Sequence, residues 1–279
     1  MKRTALKRSV LEGIEIRLLL QGIYEHYGVD FQDYDFSLIR NQVRDCMREE
    51  NVTTVSGLQE KILHDRASLK RFVAAVSRPR EPSPVDADFF RFFREQIIPV
   101  LRTYPSVRIW QAGCGSLNEI YWLAIIVREE GLSDKTHLYA TDSDEQVLER
   151  ARDGLFSTLT LPYYQDQYLR SGGKTTFDTY VVTGRKEGVF NSVLKRNIIF
   201  AQHDLTSDSS FNEFNLIVSR HVLNRFNPVL QHRAHRTFYE SLQLLGILNV
   251  EPKESLQRSP FETCYQELDS CPYLFRKIR

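Results

Sequence analysis

Arg108-Ile109-Trp110-Gln111-Ala112-Gly113-Cys114-Gly115-Ser116-Leu117-Asn118-Glu119 is the stretch that decides the fold. A short apolar run from Val107 reads as a strand, a cluster of small residues as a tight turn, and Asn118 onward as a helix start. Small residues after a first strand let backbone approach a ligand, and the helix behind offers its free amides. A second strand, His137–Thr141, ends at Asp142, about 30 residues after Gly113 in the spacing expected for a carboxylate on a ribose diol. A third, Asn197–Gln202, leads to Asp204 and Leu205, where a carboxylate suits an exocyclic amine. The candidate nucleotide-site residues are therefore Ala112, Gly113, Gly115, Asn118, Glu119, Asp142, Asp204 and Leu205. Glycines after a strand are ordinary turn residues, so the weight lies in three such pieces in order at strand C-termini.

Outward from this stretch, strands alternate with helices. Phe214–Ser219 is a fourth strand; Asn118–Glu130, Asp144–Gly154 and Asn227–Leu244 read as helices. The alternation predicts an α/β domain, doubly wound around a mostly parallel sheet. Residues 160–200 break the rhythm and read as a small β-rich insertion. Upstream, apolar spacing at Val10, Ile14 and Leu18, then at Leu38–Met47, Leu58–Leu63 and Leu69–Val76, predicts a domain of about four helices over 1–76. Between the two, Ser77-Arg78-Pro79-Arg80-Glu81-Pro82-Ser83-Pro84 carries three prolines in eight residues, which bars helix interior and central strand. An interdomain loop over 77–88 and an α/β domain over 89–279 follow.

The 279 residues are 42% hydrophobic and 26% charged, a globular composition. Lys and Arg number 37 against 36 Asp and Glu, so the net charge of +1 excludes a global pull toward nucleic acid. No apolar run reaches the roughly 18 residues of a membrane span. The basic start, Lys2-Arg3, meets Glu12 and Glu15 instead of an apolar signal core, and four cysteines lack metal or disulfide spacing. A cytoplasmic protein is expected. His232 and His235 read as solvated helix residues, and Cys114 as a packed thiol.

Taken together, Tyr24–Gly28, Arg44–Glu50, Arg108–Glu119, Tyr139-Ala140-Thr141-Asp142, Ala151–Gly154, Phe200–Asn215, Arg220–Phe226 and Phe275–Ile278 resemble the CheR family of chemotaxis receptor methyltransferases. The resemblance implies a helical domain followed by a Rossmann-like class I methyltransferase domain, S-adenosyl-L-methionine as cofactor, and chemoreceptor glutamates as substrate. It adds His221 and Val222 to the cofactor residues, and implies a receptor-docking role for the insertion.

The chain departs from the family pattern at several motifs. The family's Thr-x-Phe-Phe-Arg loop is replaced by the Pro/Arg segment at 77–86. Its Gly-Cys-Ser-Thr-Gly-Glu-Glu turn reads Gly113-Cys114-Gly115-Ser116-Leu117-Asn118-Glu119, and its Arg-Asn-Val-Leu-Ile-Tyr-Phe strand end reads Arg220-His221-Val222-Leu223-Asn224-Arg225-Phe226. The expectation is impaired methyl transfer with a retained adenosine half. Arg78, Arg80, Arg220 and Arg225 are expected to converge as a phosphate site, because guanidinium forks suit phosphate, which points to a cyclic dinucleotide such as cyclic di-GMP. Arg40, Arg44 and Arg48, one turn apart, form a basic helix face for an acidic partner such as a chemoreceptor helix. The other readings are an active glutamate methyltransferase and a ligand-free interaction module.

Overall fold

The computed structural model describes residues 2–77, 85–113, 119–220, 222–251, 256, 259–268 and 274–279, with side chains from residue 9 onward, residue 77 excepted. Two units are resolved in it, Met1–Arg78 with Asn224–Gln231, and Pro79–Leu223 with His232–Arg279.

The first unit holds α1 (Lys2–Tyr27), α2 (Phe36–Glu49), α3 (Val55–His64) and α4 (Arg66–Ser77), the four helices that the apolar spacing predicts. Asp35 caps α2 by accepting from Leu38 N at 2.8 Å, and Thr54 caps α3 by accepting from Gly57 N at 3.0 Å. Ile16, Leu19 and Ile23 of α1 pack with Ile39 and Val43 of α2, Leu58 and Ile62 of α3, and Phe72 of α4. Residues 224–231 group with this unit. Aromatic packing and main-chain bonds explain it: Phe226 meets Tyr34 edge-on at 5.2 Å, Asp35 N donates to Arg225 O at 2.7 Å, and Asn227 N donates to Asp33 O at 2.9 Å.

The second unit opens with α5 (Ala87–Phe92), a π-helical turn at Phe93–Ile97, and α6 (Ile98–Arg102). Then come β1 (Val107–Ala112), α7 (Glu119–Glu129), β2 (Thr136–Asp142) and α8 (Glu145–Asp153). The insertion follows with β3 (Leu155–Ser157), α9 (Leu161–Arg170), β4 (Val181–Thr183), β5 (Glu187–Phe190) and α10 (Ser192–Lys195). The chain closes with β6 (Ile198–Gln202), β7 (Phe214–Val218), α11 (Pro228–Ser241), β8 (Leu242–Asn249), β9 (Tyr265–Glu267) and β10 (Leu274–Lys277).

Seven strands form one sheet in the order β6-β2-β1-β7-β8-β10-β9. Its β6 to β8 portion is parallel, and β10 and β9 add antiparallel edges. Trp110 fixes the centre: its indole N donates to Thr141 Oγ1 at 2.8 Å and its ring stacks on Phe214 at 5.2 Å. The insertion is a three-stranded antiparallel sheet, β3-β5-β4, plus α9, and so begins five residues before the expected 160. The buried Glu129 carboxylate ties it to the body, accepting from Tyr180 Oη at 2.8 Å, from Tyr168 Oη and from Arg94.

The helix expected over 227–244 ends at Ser241, because Leu242 onward pairs with β7. His235 is another correction. It is buried, not solvated, lies edge-on to Phe238, and burial pushes its pKa down to about 4.

Candidate functional site

Parallel pairing puts the C-terminal ends of β1, β2 and β6 side by side. Ala112 lies opposite Thr141, and Asp142 opposite Gln202. Gly113 N donates to Thr141 O at 2.8 Å, and His203 N donates to Asp142 O at 3.1 Å. Ala112, Gly113, Asp142, Asp204 and Leu205 thus share one sheet edge, where ligands bind in open α/β folds. Asp142 Oδ1 accepts from Asp144 N at 3.0 Å, which fixes the carboxylate at the strand end. Asp204 Oδ1 accepts from Thr206 N at 2.8 Å and so shapes its own turn; Leu205 is buried beneath. Gly113 turns the chain at φ +92°, and a Cβ there would sit 2.3 Å from Val222 Cγ2. Val222 therefore packs against the turn, and the turn needs glycine.

Behind the turn, Arg220 is a hub. Its Nη1 donates to Glu119 Oε1 at 3.1 Å, its Nη2 to Asp86 Oδ2 at 3.1 Å, and its Nε to Glu251 Oε1 at 2.7 Å. The guanidinium lies over the Phe89 ring at 4.9 Å and its side chain is only 9% exposed. Glu119 Oε2 takes a further contact from Gln111 Nε2 at 3.3 Å. Burial pushes the Glu119 carboxyl above its ordinary range, with Arg220 pulling the other way. Three carboxylates face one guanidinium here.

Arg220, expected among the phosphate ligands, donates its fork to three carboxylates. Arg225 belongs to the unit of the N-terminal helices, where its carbonyl accepts from Asp35 N. Arg78, Arg80, Gly115, Asn118 and His221 lie outside the described residues, as does Cys114. Glu12 of α1 pairs with both Arg40 and Arg44 of α2, and Asp45 pairs with Arg48, so the expected basic face is largely balanced within its own unit.

Sequence reasoning missed Asp86, Gln111 and Glu251. Gln111 was visible as the one uncharged polar side chain in a strand whose other residues are apolar apart from Arg108. Asp86 stands before an apolar run as a cap, accepting from Phe89 N at 3.0 Å. Glu251 follows β8, a strand the sequence reading did not find.

The edge fits S-adenosyl-L-methionine by one further observation. Gln111 Oε1 is buried with no partner among the described residues, beside the Glu119 carboxylate. An orphan acceptor beside a carboxylate suits an ammonium or sulfonium, and Asp142 suits a ribose diol.

The parallel sheet with its nucleoside-type edge defines a Rossmann-like methyltransferase fold. Comparison then gives the family. Residues 85–268 match the CheR methyltransferase SAM-binding domain, and residues 14–77 match the CheR methyltransferase all-alpha domain. The chain is 37% identical over 264 residues to "Putative methyltransferase Cher3" of Pseudomonas putida, covering 95% of this chain and 97% of that one. It is 24% identical over 231 residues to a chemotaxis protein methyltransferase of Listeria innocua, covering 82% and 85%. The chain belongs to the CheR methyltransferase family. No helix among the described residues is long and apolar enough to cross a membrane.

Proposed function

We propose that the protein binds S-adenosyl-L-methionine at the β1–β2–β6 edge and transfers its methyl group slowly to a carboxylate of a chemoreceptor-type partner. The observation that carries this reading is the buried Gln111 Oε1, without a partner among the described residues and next to the Glu119 carboxylate, which favours a cationic ligand over a phosphate-rich one. When bound, the cofactor supplies an activated methyl group. Asp142 accepts from the ribose hydroxyls. Glu119 and Gln111 offer acceptors to the ammonium, and Arg220 holds Glu119 in place. Gly113 brings bare backbone to the ligand while Val222 packs against the same turn.

The reduced rate rests on the departures from the family pattern. The strand-end tyrosine is Arg225, the first turn glutamate is Asn118, and the Thr/Arg loop is replaced at 77–86. Groups that orient reactants supply several kcal/mol of a barrier, so their loss costs orders of magnitude in rate. The cyclic di-GMP reading needs a phosphate cluster, and the carboxylates about Arg220 weigh against it. The partner reading rests on family membership and not on Arg40, Arg44 and Arg48. The test is transfer of labelled methyl to a chemoreceptor cytoplasmic fragment. The expected result is measurable transfer at least tenfold below that of a relative with the full motif. Equal turnover overturns the impairment, and no transfer at any enzyme concentration overturns the activity.

A further inference from the structure

At the opposite end of the same sheet lies a cavity of about 120 Å³. Ala124, Val127, Leu138, Val193 and Leu194 form its apolar floor. Arg128, Arg196, Ser133, Asp134 and Asn197 stand at its rim. The rim is built by local rules. Asn197 spends its amide N–H groups on two carbonyls, with Thr136 O at 3.1 Å and Ser133 O as the other. That leaves the 3-10 turn Ser133–Lys135 held against the start of β6.

Arg128 lies in the last turn of α7 and Arg196 follows α10. Neither guanidinium has an ion pair or hydrogen bond among the described residues, whereas most other arginines in this unit have one. Asp134 is the one carboxylate in the lining against two arginines, so the lining is net positive. A positive rim over an apolar floor fits an anion with a short hydrocarbon body: the carboxylate meets the guanidinium forks and the chain meets Val127 and Leu138. A dry cavity of roughly 150 Å³ accommodates benzene, so this one holds a ligand of about six heavy atoms. We propose that the cavity is a binding site for a small aliphatic carboxylate. It lies four residues along β2 from Asp142, about 13 Å at the strand rise, and is separate from the nucleoside edge. The site goes beyond the methyltransferase reading and stands without it.

The test uses the full chain with labelled methyl groups and sodium butyrate as probe, followed by NMR at low salt. Butyrate is expected to shift the Val127, Leu138, Val193 and Leu194 methyls with a dissociation constant on the order of millimolar, the range that so few atoms reach. Butyramide, neutral and of the same shape, is expected to bind at least fivefold more weakly. Arg128→Gln and Arg196→Gln should each weaken butyrate at least fivefold; both residues are exposed, so the fold is retained, which circular dichroism checks. Ala124→Leu, which fills the floor, should abolish the shifts. The proposal is overturned by absent shifts, by equal binding of butyramide, or by butyrate binding unchanged in both arginine variants. It is also overturned if an internal Glu-containing peptide shifts these methyls and butyrate does not, since the occupant is then a protein side chain. Failure here leaves methyl transfer untouched, because the two sites share no residue.

Discussion

Glu119 and Arg220 face each other at 3.1 Å, a carboxylate at the head of α7 and a guanidinium just past β7. The pair is buried, and Asp86 and Glu251 complete a ring of carboxylates around the one cation. Arg220 thus offsets negative charge brought together from three separate segments of the chain. Arg220→Ala is expected to destabilise the chain by about 3–5 kcal/mol, the cost of leaving buried charges unpaired. Urea unfolding measures it. Adding Glu119→Gln to Arg220→Ala should recover part of the loss, since the remaining repulsion falls. A cost below 1 kcal/mol would show that the ring is solvated.

Gly113 and Val222 make a second coupled pair. Gly113→Ala places a Cβ at φ +92° and 2.3 Å from the valine methyl. The backbone strain alone is worth about 1–3 kcal/mol. Thermal melting should show the loss, and Val222→Ala added to it should return only the part due to the clash. Full rescue would mean that the backbone conformation costs nothing.

Leu245 is an exposed leucine at φ +65°, at the irregularity where β8 changes register against β7. A left-handed non-glycine residue costs about 1–2 kcal/mol, and a glycine returns part of that as unfolded-chain entropy. Leu245→Gly should therefore raise stability by about 0.5–1 kcal/mol in denaturant titration. A loss would mean that the side chain packs more than its exposure shows.

Glu50 gives the pH prediction. Arg71, then Lys61, hold its carboxyl down at about 2, below the ordinary carboxylate value. A depressed folded-state pKa contributes stability above the unfolded value near 4.5 and loses it as pH falls toward 2. Both cations are about half exposed, so the contribution is on the order of 1 kcal/mol. In Glu50→Gln the stability between pH 4.5 and 2 should fall less steeply than in the parent. Parallel curves would remove the ion pairs from the account.

Residues whose role follows from local pattern were legible in the sequence. The helices of the first unit follow from apolar spacing, but in α1 the buried face is Ile16, Leu19 and Ile23 and not the exposed Val10, Ile14 and Leu18 that the spacing named; β1, β2, β6 and β7 follow from short apolar runs between turns. The edge residues Gly113, Asp142 and Asp204 follow from their place at strand ends. What was not legible depends on pairing. Leu242–Leu245 extends a helical pattern on paper, and only its partner β7 makes it a strand. Residues 224–231 read as part of the α/β domain because nothing local shows that Phe226 packs on Tyr34. Arg220 read as a phosphate ligand because its three carboxylates come from residues 86, 119 and 251, far apart in the chain.

The central claim is that the β1–β2–β6 edge takes a cationic nucleoside cofactor and not a phosphate-rich one. Calorimetric titration with S-adenosyl-L-methionine and with cyclic di-GMP, in the parent and in Asp142→Ala, tests it most directly. The account predicts heat with S-adenosyl-L-methionine, an affinity lower by about 1–3 kcal/mol in Asp142→Ala, and no binding of cyclic di-GMP. Binding of cyclic di-GMP without S-adenosyl-L-methionine, or S-adenosyl-L-methionine affinity indifferent to Asp142, would contradict it.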